Sequence, residues 1–264
     1  MFVAGALNAQ ERKHDVNRVL RNADGAVERV FGYALSSNWS GYAQDNYLTN
    51  ATYTSASFEW TVPSVKFVRK GLELQQASSI WVGIGGDCED SACSKVDSSL
   101  IQLGTEQDAN IFGKTNYYPW WEVLPAAETL IAEPVEPGDQ MTASLACVAN
   151  CKSHAIQLWT LKMQDLTQGW TFSKKVLYAS SLLSAEWIVE APFSGGILPM
   201  ANFGTATLSA ALEDSLNPGL IAAQAIYLED PKGQTTSVST PSGGDAFNAC
   251  WGSGSFVSCP PPAN

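Results

Sequence analysis

The 264-residue sequence predicts an all-β sandwich on three observations. Short runs of alternating or β-branched residues recur from residue 52 onward, separated by Gly, Pro, Asn and Asp at the spacing of a sandwich. No long amphipathic helix interrupts them. The hydrophobic fraction of 45%, with Trp 9, Tyr 8 and Phe 10, supplies a large core for one main domain.

Taken in order, residues 1–10 resemble the tail of a signal peptide, with Leu7-Asn8-Ala9 near a small-residue cleavage pattern but no charged n-region. Val16, Val19, Leu20, Ala23, Val27, Val30 and Phe31 then recur at helical spacing, so residues 1–36 are expected to be a helical leader. This leader carries five basic and four acidic residues, whereas the rest carries ten basic against twenty-two acidic. That contrast favours a propeptide covering an acidic groove, released on acidification, over an ordinary N-terminal helix. The body, 37–264, is expected to hold strands at 52–62, 79–84, 100–105, 117–124, 140–147, 156–164, 169–175, 185–190, 206–212 and 223–228. The segments 235–244 and 260–262 have low complexity and suit a loose tail.

A formal net charge of -11 and a pI of about 4.6 argue against nucleic acid or an anionic membrane as partner. No apolar run is long enough to span a bilayer. Cysteines fall in three close couples, 88 with 93, 147 with 151 and 250 with 259, which suits local disulfides in an exported protein. Zinc competes weakly, because no couple has the two-residue gap of a zinc ribbon and there are only two histidines. His14 lies in the leader and His154 in a polar turn, so histidine-based catalysis is set aside.

The stretch Ser184-Ala185-Glu186-Trp187-Ile188-Val189-Glu190 places two carboxylates in an apolar, strand-forming run. Alternation puts Glu186, Ile188 and Glu190 on one face and Ala185, Trp187 and Val189 on the other. The two glutamates stand about 13 Å apart along such a strand, too far to act as a dyad with each other. Each needs a partner from elsewhere.

Four pieces, Ser37-Asn38-Trp39-Ser40-Gly41-Tyr42, Trp81 to Asp87 (WVGIGGD), Tyr117 to Pro125 (YYPWWEVLP) and Ala185 to Glu190 (AEWIVE), together with Leu100-Ile101-Gln102-Leu103-Gly104, resemble the glutamic peptidases, or eqolisins. The resemblance implies a secreted, acid-acting endopeptidase on a concanavalin-like sandwich of two large antiparallel sheets, without metal or cofactor. It implies a catalytic pair at Gln102 and Glu190, with Trp81, Trp120 and Glu122 lining the substrate groove; Glu186 is a further substrate-binding candidate, and either Glu186 or Glu122 could hold or raise the proton of Glu190 by hydrogen bonding or like-charge proximity. Polypeptides are the expected substrates, and a monomer the expected state. In fungal members aspartates that tune the catalytic carboxyl or orient its neighbours commonly stand where this chain has Gly85 and Tyr118, so the resemblance leaves the acid optimum and the subsite preferences open.

Elementary chemistry agrees with that pair. A glutamate with an ordinary pKa near 4.3 can take a proton from water and return it to a departing amine under acid conditions. A glutamine amide can donate to a tetrahedral oxygen, and its carbonyl can hold the water. Within 100–105, Gln102 shares a face with Leu100 and Gly104, where the glycine is expected to leave room for substrate backbone. Trp121 and Trp187 are expected in the core, and the segment 88–93 at the groove rim. Two rivals remain: a sandwich glycosidase using Glu122 and Glu190 about 5 to 9.5 Å apart, and a lectin-like binding module without chemistry.

Overall fold

The computed structural model describes residues 12–152 and 155–263. Those residues form sixteen strands, one helical turn α1 (Asn46–Thr49) and one 3-10 turn (Ala222–Gln224). The first strands are β1 (Arg29–Val30), β2 (Tyr33–Ser36), β3 (Trp39–Asp45), β4 (Ser55–Thr61) and β5 (Gln75–Ile84). Next come β6 (Ile101–Asn110), β7 (Thr115–Val123), β8 (Thr129–Leu130), β9 (Gln140–Ala149) and β10 (Gln157–Asp165). The last are β11 (Trp170–Tyr178), β12 (Ser184–Glu190), β13 (Thr205–Glu213), β14 (Ala225–Glu229), β15 (Gln234–Val238) and β16 (Phe247–Ser253).

One hydrogen-bonded path runs β11-β10-β9-β4-β13-β16-β15-β14-β3-β12-β5-β6-β7-β8. It folds into two layers, with β15 joining β16 of one to β14 of the other. Indole hydrogen bonds link the facing layers: Trp187 Nε1 on β12 donates to Ser57 O on β4 at 2.9 Å, and Trp60 Nε1 on β4 to Thr105 Oγ1 on β6 at 3.1 Å. Phe58, Leu145, Trp159 and Leu161 meet Val82, Leu103, Trp187 and Val189 in the main core between them.

The layers differ in what covers their outer faces. Strands β4, β9 and β10 alternate buried and partly exposed residues, as a sheet with one solvated face must. In β3 and β12 every residue is buried. A strand buried on both faces needs a second cover, and the leader is that cover.

Between residues 12 and 36 the leader contains no helix. It runs extended, bridging Lys13 to Phe193, Val19 to Ser36 and Arg21 to Val27, before β1 and β2. Its helical periodicity is overridden by tertiary pairing: Leu20 N donates to Leu35 O, Glu28 N to Leu20 O, and β2 pairs in parallel with β14. The proposed signal-peptide remnant lies outside the described residues.

All ten expected strands are present, with ends shifted by a few residues. The expected loose tail is instead structured at its start. Gln234–Val238 is a fully buried strand inside the sheet, paired on both sides, and Phe247–Ser253 pairs with it. Small hydroxyl side chains hid its strand character. Three disulfides close the expected couples, 88–93, 147–151 and 250–259, and among the described residues no helix is long and apolar enough to cross a membrane.

Gly104 on β6 shows how tightly the layer is built. A Cβ there would sit 2.1 Å from Ile80 O and 2.5 Å from Trp81 Cβ, so the glycine makes room for its β5 neighbours rather than for substrate. Gly104→Ala is expected to destabilise the fold by about 1–3 kcal/mol, the cost of overpacking, read as a lower midpoint in thermal or urea unfolding.

Candidate active site

The alternation expected for β12 holds. Ala185, Trp187 and Val189 enter the main core. Ile188, on the opposite face, packs with Trp39, Trp81, Leu100 and Trp120 in a second, smaller cluster. Antiparallel register places Glu190 between Trp39 and Ser79, and Gln102 between Gly83 and Glu122. Gln102 and Glu190 are thus on one face of the sheet, on strands β6 and β12 either side of β5, and both are fully buried.

Leader residues 14 and 15 lie directly on them. Gln102 Nε2 donates to His14 O at 2.9 Å, and the Asp15 amide donates to Glu190 Oε1 at 3.1 Å. The two side chains therefore hold opposite polar ends of a single peptide group, that between His14 and Asp15. The adjoining backbone is held as an extended substrate would be. Lys13 exchanges hydrogen bonds with Phe193 at 3.0 and 2.9 Å, and Glu128 N donates to Arg12 O at 3.3 Å. Beyond the bond, Trp39 Nε1 donates to Asp15 O at 3.0 Å and Asn17 N to Gly86 O at 2.9 Å.

The His14 ring stacks on Trp120, with centroids 3.6 Å apart and planes 4° from parallel. Its Nδ1 lies 3.1 Å from Glu190 Oε2 and its Nε2 3.0 Å from Glu128 Oε2. Arg12 pairs with Glu106 and Asp108. Burial alone would lower the His14 pKa, but hydrogen bonds to Glu128 and Glu190 outweigh it and hold the imidazole well above its ordinary value.

Glu190 also accepts from Trp81 Nε1 at 2.8 Å. Burial pushes its pKa up, against the opposing pull of His14 and Trp81. Glu122 Oε2 accepts from Gln102 Nε2 at 2.8 Å and from the His14 amide at 3.1 Å. Burial raises Glu122 to about 8, so under acid conditions it is a neutral carboxyl that orients the Gln102 amide. Gln102 Oε1 has no donor among the described residues, leaving an acceptor on the same side chain.

Gln102, Glu190, Trp81, Trp120 and Glu122 come together as a group. Glu186 lies on the same face, directly across from Gly83 rather than beside the His14–Asp15 bond. It is buried, and burial, followed by Asp87, Asp45 and Asp97, drives its pKa well up against the opposing pull of the Ser184 hydroxyl. As expected, Trp187 is core; Trp121 is half-buried against it. Residues 88–93 form a disulfide-closed loop touched by the leader, through Arg21 to the Ala92 and Cys93 carbonyls.

Five contributors escaped the sequence reading: His14, Asn38, Glu106, Asp108 and Glu128. Glu106 and Asp108 share the parity of Gln102 on β6, a signal available in the alternation. His14 was set aside for its place in the leader, yet it occupies the centre of the site, while His154 lies outside the described residues. At Gly85, with φ +91 and a Cβ position 2.3 Å from Ser99 O, no side chain fits without rearrangement. Tyr118 instead donates its hydroxyl to Glu128 Oε1 at 3.0 Å.

Residues 37–250 match the model of the Peptidase A4 family. The chain belongs to that family, the glutamic peptidases. It is therefore a peptide-bond hydrolase, which sets aside the glycosidase and lectin readings. No curated protein matches the chain. Among solved structures it is similar to scytalido-glutamic peptidase crystallised with a peptide-based transition-state analogue, at 21% identity and a TM-score of 0.53, covering 81% of this chain and 98% of that one. That similarity supports the all-β fold.

Raised carboxyls set the direction of pH stability. Glu106, Glu122, Glu186 and Asp45 all have pKa values raised chiefly by burial. Between their ordinary values near 4 and their raised ones, the folded chain holds protons that the unfolded chain has released. Their favourable contribution is complete at the acid end and falls as pH rises through that window, to about 8 for Glu122. The melting temperature is expected to fall from pH ~4 to pH ~8, and Glu186→Gln to flatten that decline, both measurable by calorimetry.

Proposed function

We propose that the protein is a secreted, acid-acting endopeptidase in which Glu190 activates the attacking water and Gln102 stabilises the oxyanion. The observation that carries this reading is the grip of these two side chains on one peptide bond, with Gln102 on the carbonyl oxygen and Glu190 on the nitrogen. Those are the two atoms whose charge and protonation change during hydrolysis. Glu190 as carboxylate takes a proton from water; as carboxylic acid it passes one to the nitrogen, and the C–N bond breaks. The Gln102 amide meets the oxygen as negative charge develops there, oriented by Glu122. Trp39, Gly86, Glu128 and Phe193 supply the backbone contacts that hold a polypeptide extended through the groove. The peptide-based transition-state analogue crystallised with scytalido-glutamic peptidase supports a polypeptide substrate, and three disulfides support an extracellular setting.

On this reading the segment before residue 37 is a propeptide that plugs the groove in the manner of a substrate. Acid does not expel it through His14. A histidine whose pKa is raised by docking contributes a hold that is full below its ordinary value and is lost as pH rises through the raised one. Protonating the imidazole therefore does not itself release the leader, and the expected acid release falls to the groove carboxylates that face it, Glu128 and Glu190.

Glu190→Gln is expected to abolish hydrolysis of an unfolded protein at pH ~3–4, and Gln102→Ala to lower it by about 10² to 10³. A pepstatin-type inhibitor is expected to leave the wild-type rate unchanged, since no aspartate pair is engaged. Near-normal turnover by either variant would overturn the assignment.

A further inference from the structure

The leader resembles a substrate in its backbone and departs from one in a single side chain. Glu190, the group that must take a proton from water, already has every acceptor position filled. Oε1 faces the Asp15 amide at 3.1 Å and Asn38 Nδ2 at 3.4 Å; Oε2 faces Trp81 Nε1 at 2.8 Å and His14 Nδ1 at 3.1 Å. A carboxylate offers about four lone-pair sites. With four donors in place, no lone pair is left for a water O–H. Of those donors, Asn38 and Trp81 belong to the body and the Asp15 amide is common to any peptide. The imidazole is the one supplied by side-chain identity.

We propose that Trp120, Glu128 and Glu190 form a binding site for a peptide histidine immediately before the scissile bond, one that holds the ring and in doing so stalls hydrolysis. This rests on the peptidase reading above. Trp120 stacks on one face of the ring. Glu128 takes Nε2, and its other oxygen is held by the Tyr118 hydroxyl, so the carboxylate is aimed before the ring arrives. Carboxylates at both ring nitrogens are satisfied together when each nitrogen carries a hydrogen, which selects imidazolium. A phenylalanine in the same place keeps the stack on Trp120 but donates to neither carboxylate. The residue before the bond therefore decides whether a docked peptide is an inhibitor or a substrate, and His14 makes the leader an inhibitor.

The test uses the full chain as wild type, His14→Phe, Glu128→Gln and Glu190→Gln in one acidic buffer. Mass spectrometry follows the 14–15 bond, and a denatured protein reports turnover. Wild type is expected to remain uncut at that bond and to digest the added protein slowly. In His14→Phe, water adds across the 14–15 bond, leaving a carboxyl on residue 14 and an amine on Asp15, at a rate about tenfold or more above wild type once two charge-assisted hydrogen bonds are lost. Turnover of the added protein rises with it. Glu128→Gln, which keeps the shape and weakens one contact, is expected to fall between. Wild-type cleavage at 14–15 as fast as in His14→Phe would overturn the proposal. So would a His14→Phe chain as intact and as slow as a wild type whose residual turnover Glu190→Gln removes. If no version digests anything, the roles given to Gln102 and Glu190 fail first, and this inference falls with them.

Discussion

The alignment of β12, β5, β6 and β7 is the constraint from which the rest follows. Side chains alternate across each strand, so once register is set, one face of all four strands is committed together. One face presents Val82, Leu103 and Trp187 to the opposing layer. The other presents Trp81, Gln102, Trp120, Glu122 and Glu190, and a slip of one residue in any strand would send its members to the wrong side. The meeting of Gln102 and Glu190 is thus a product of sheet pairing, with β12 and β6 separated only by β5. Chemistry and core share the same backbone.

That arrangement explains how much was legible. Period-two alternation in Ala185 to Glu190 is legible because Ala185, Trp187 and Val189 define the face that enters the main core, and it placed Glu190 on the opposite face. Gln102 depended on the resemblance, since a lone glutamine in a strand carries little signal. Glu122 emerged as the residue holding the Gln102 amide, a role that lies in a cross-strand contact and so has no trace in spacing. Residues 16–31 misled for a physical reason: their apolar spacing is real, but Leu20 and Val30 pack against the main core from an extended chain with turns. Gln234–Val238 was missed for the opposite reason, since Gln, Thr and Ser look like loop chemistry until both flanking strands are in place.

Burial shapes the electrostatics of the groove as much as charge does. An acidic chain with many exposed carboxylates would simply repel itself at neutral pH. Here several of the acids lie beneath other chain, and desolvation is the first cause of the upward shift in Glu106, Glu122, Glu186 and Glu190. Where burial keeps a carboxyl such as Glu122 neutral, it behaves as a hydrogen-bonding spacer rather than an anion, which lets several acids occupy one cleft.

The strand β2 gives the leader an unusual status. Because Tyr33–Ser36 is paired alongside β14, the segment that enters the groove is anchored in the sheet at its C-terminal end. For a segment tethered in this way any return to the groove is unimolecular, with local concentrations that reach the millimolar range for short tethers. A free peptide of identical sequence would compete only at such concentrations, so modest contacts suffice for the attached copy. If the chain were cut ahead of Asp15, the remaining residues would stay moored to the body, and the open groove would keep one wall made from its former plug.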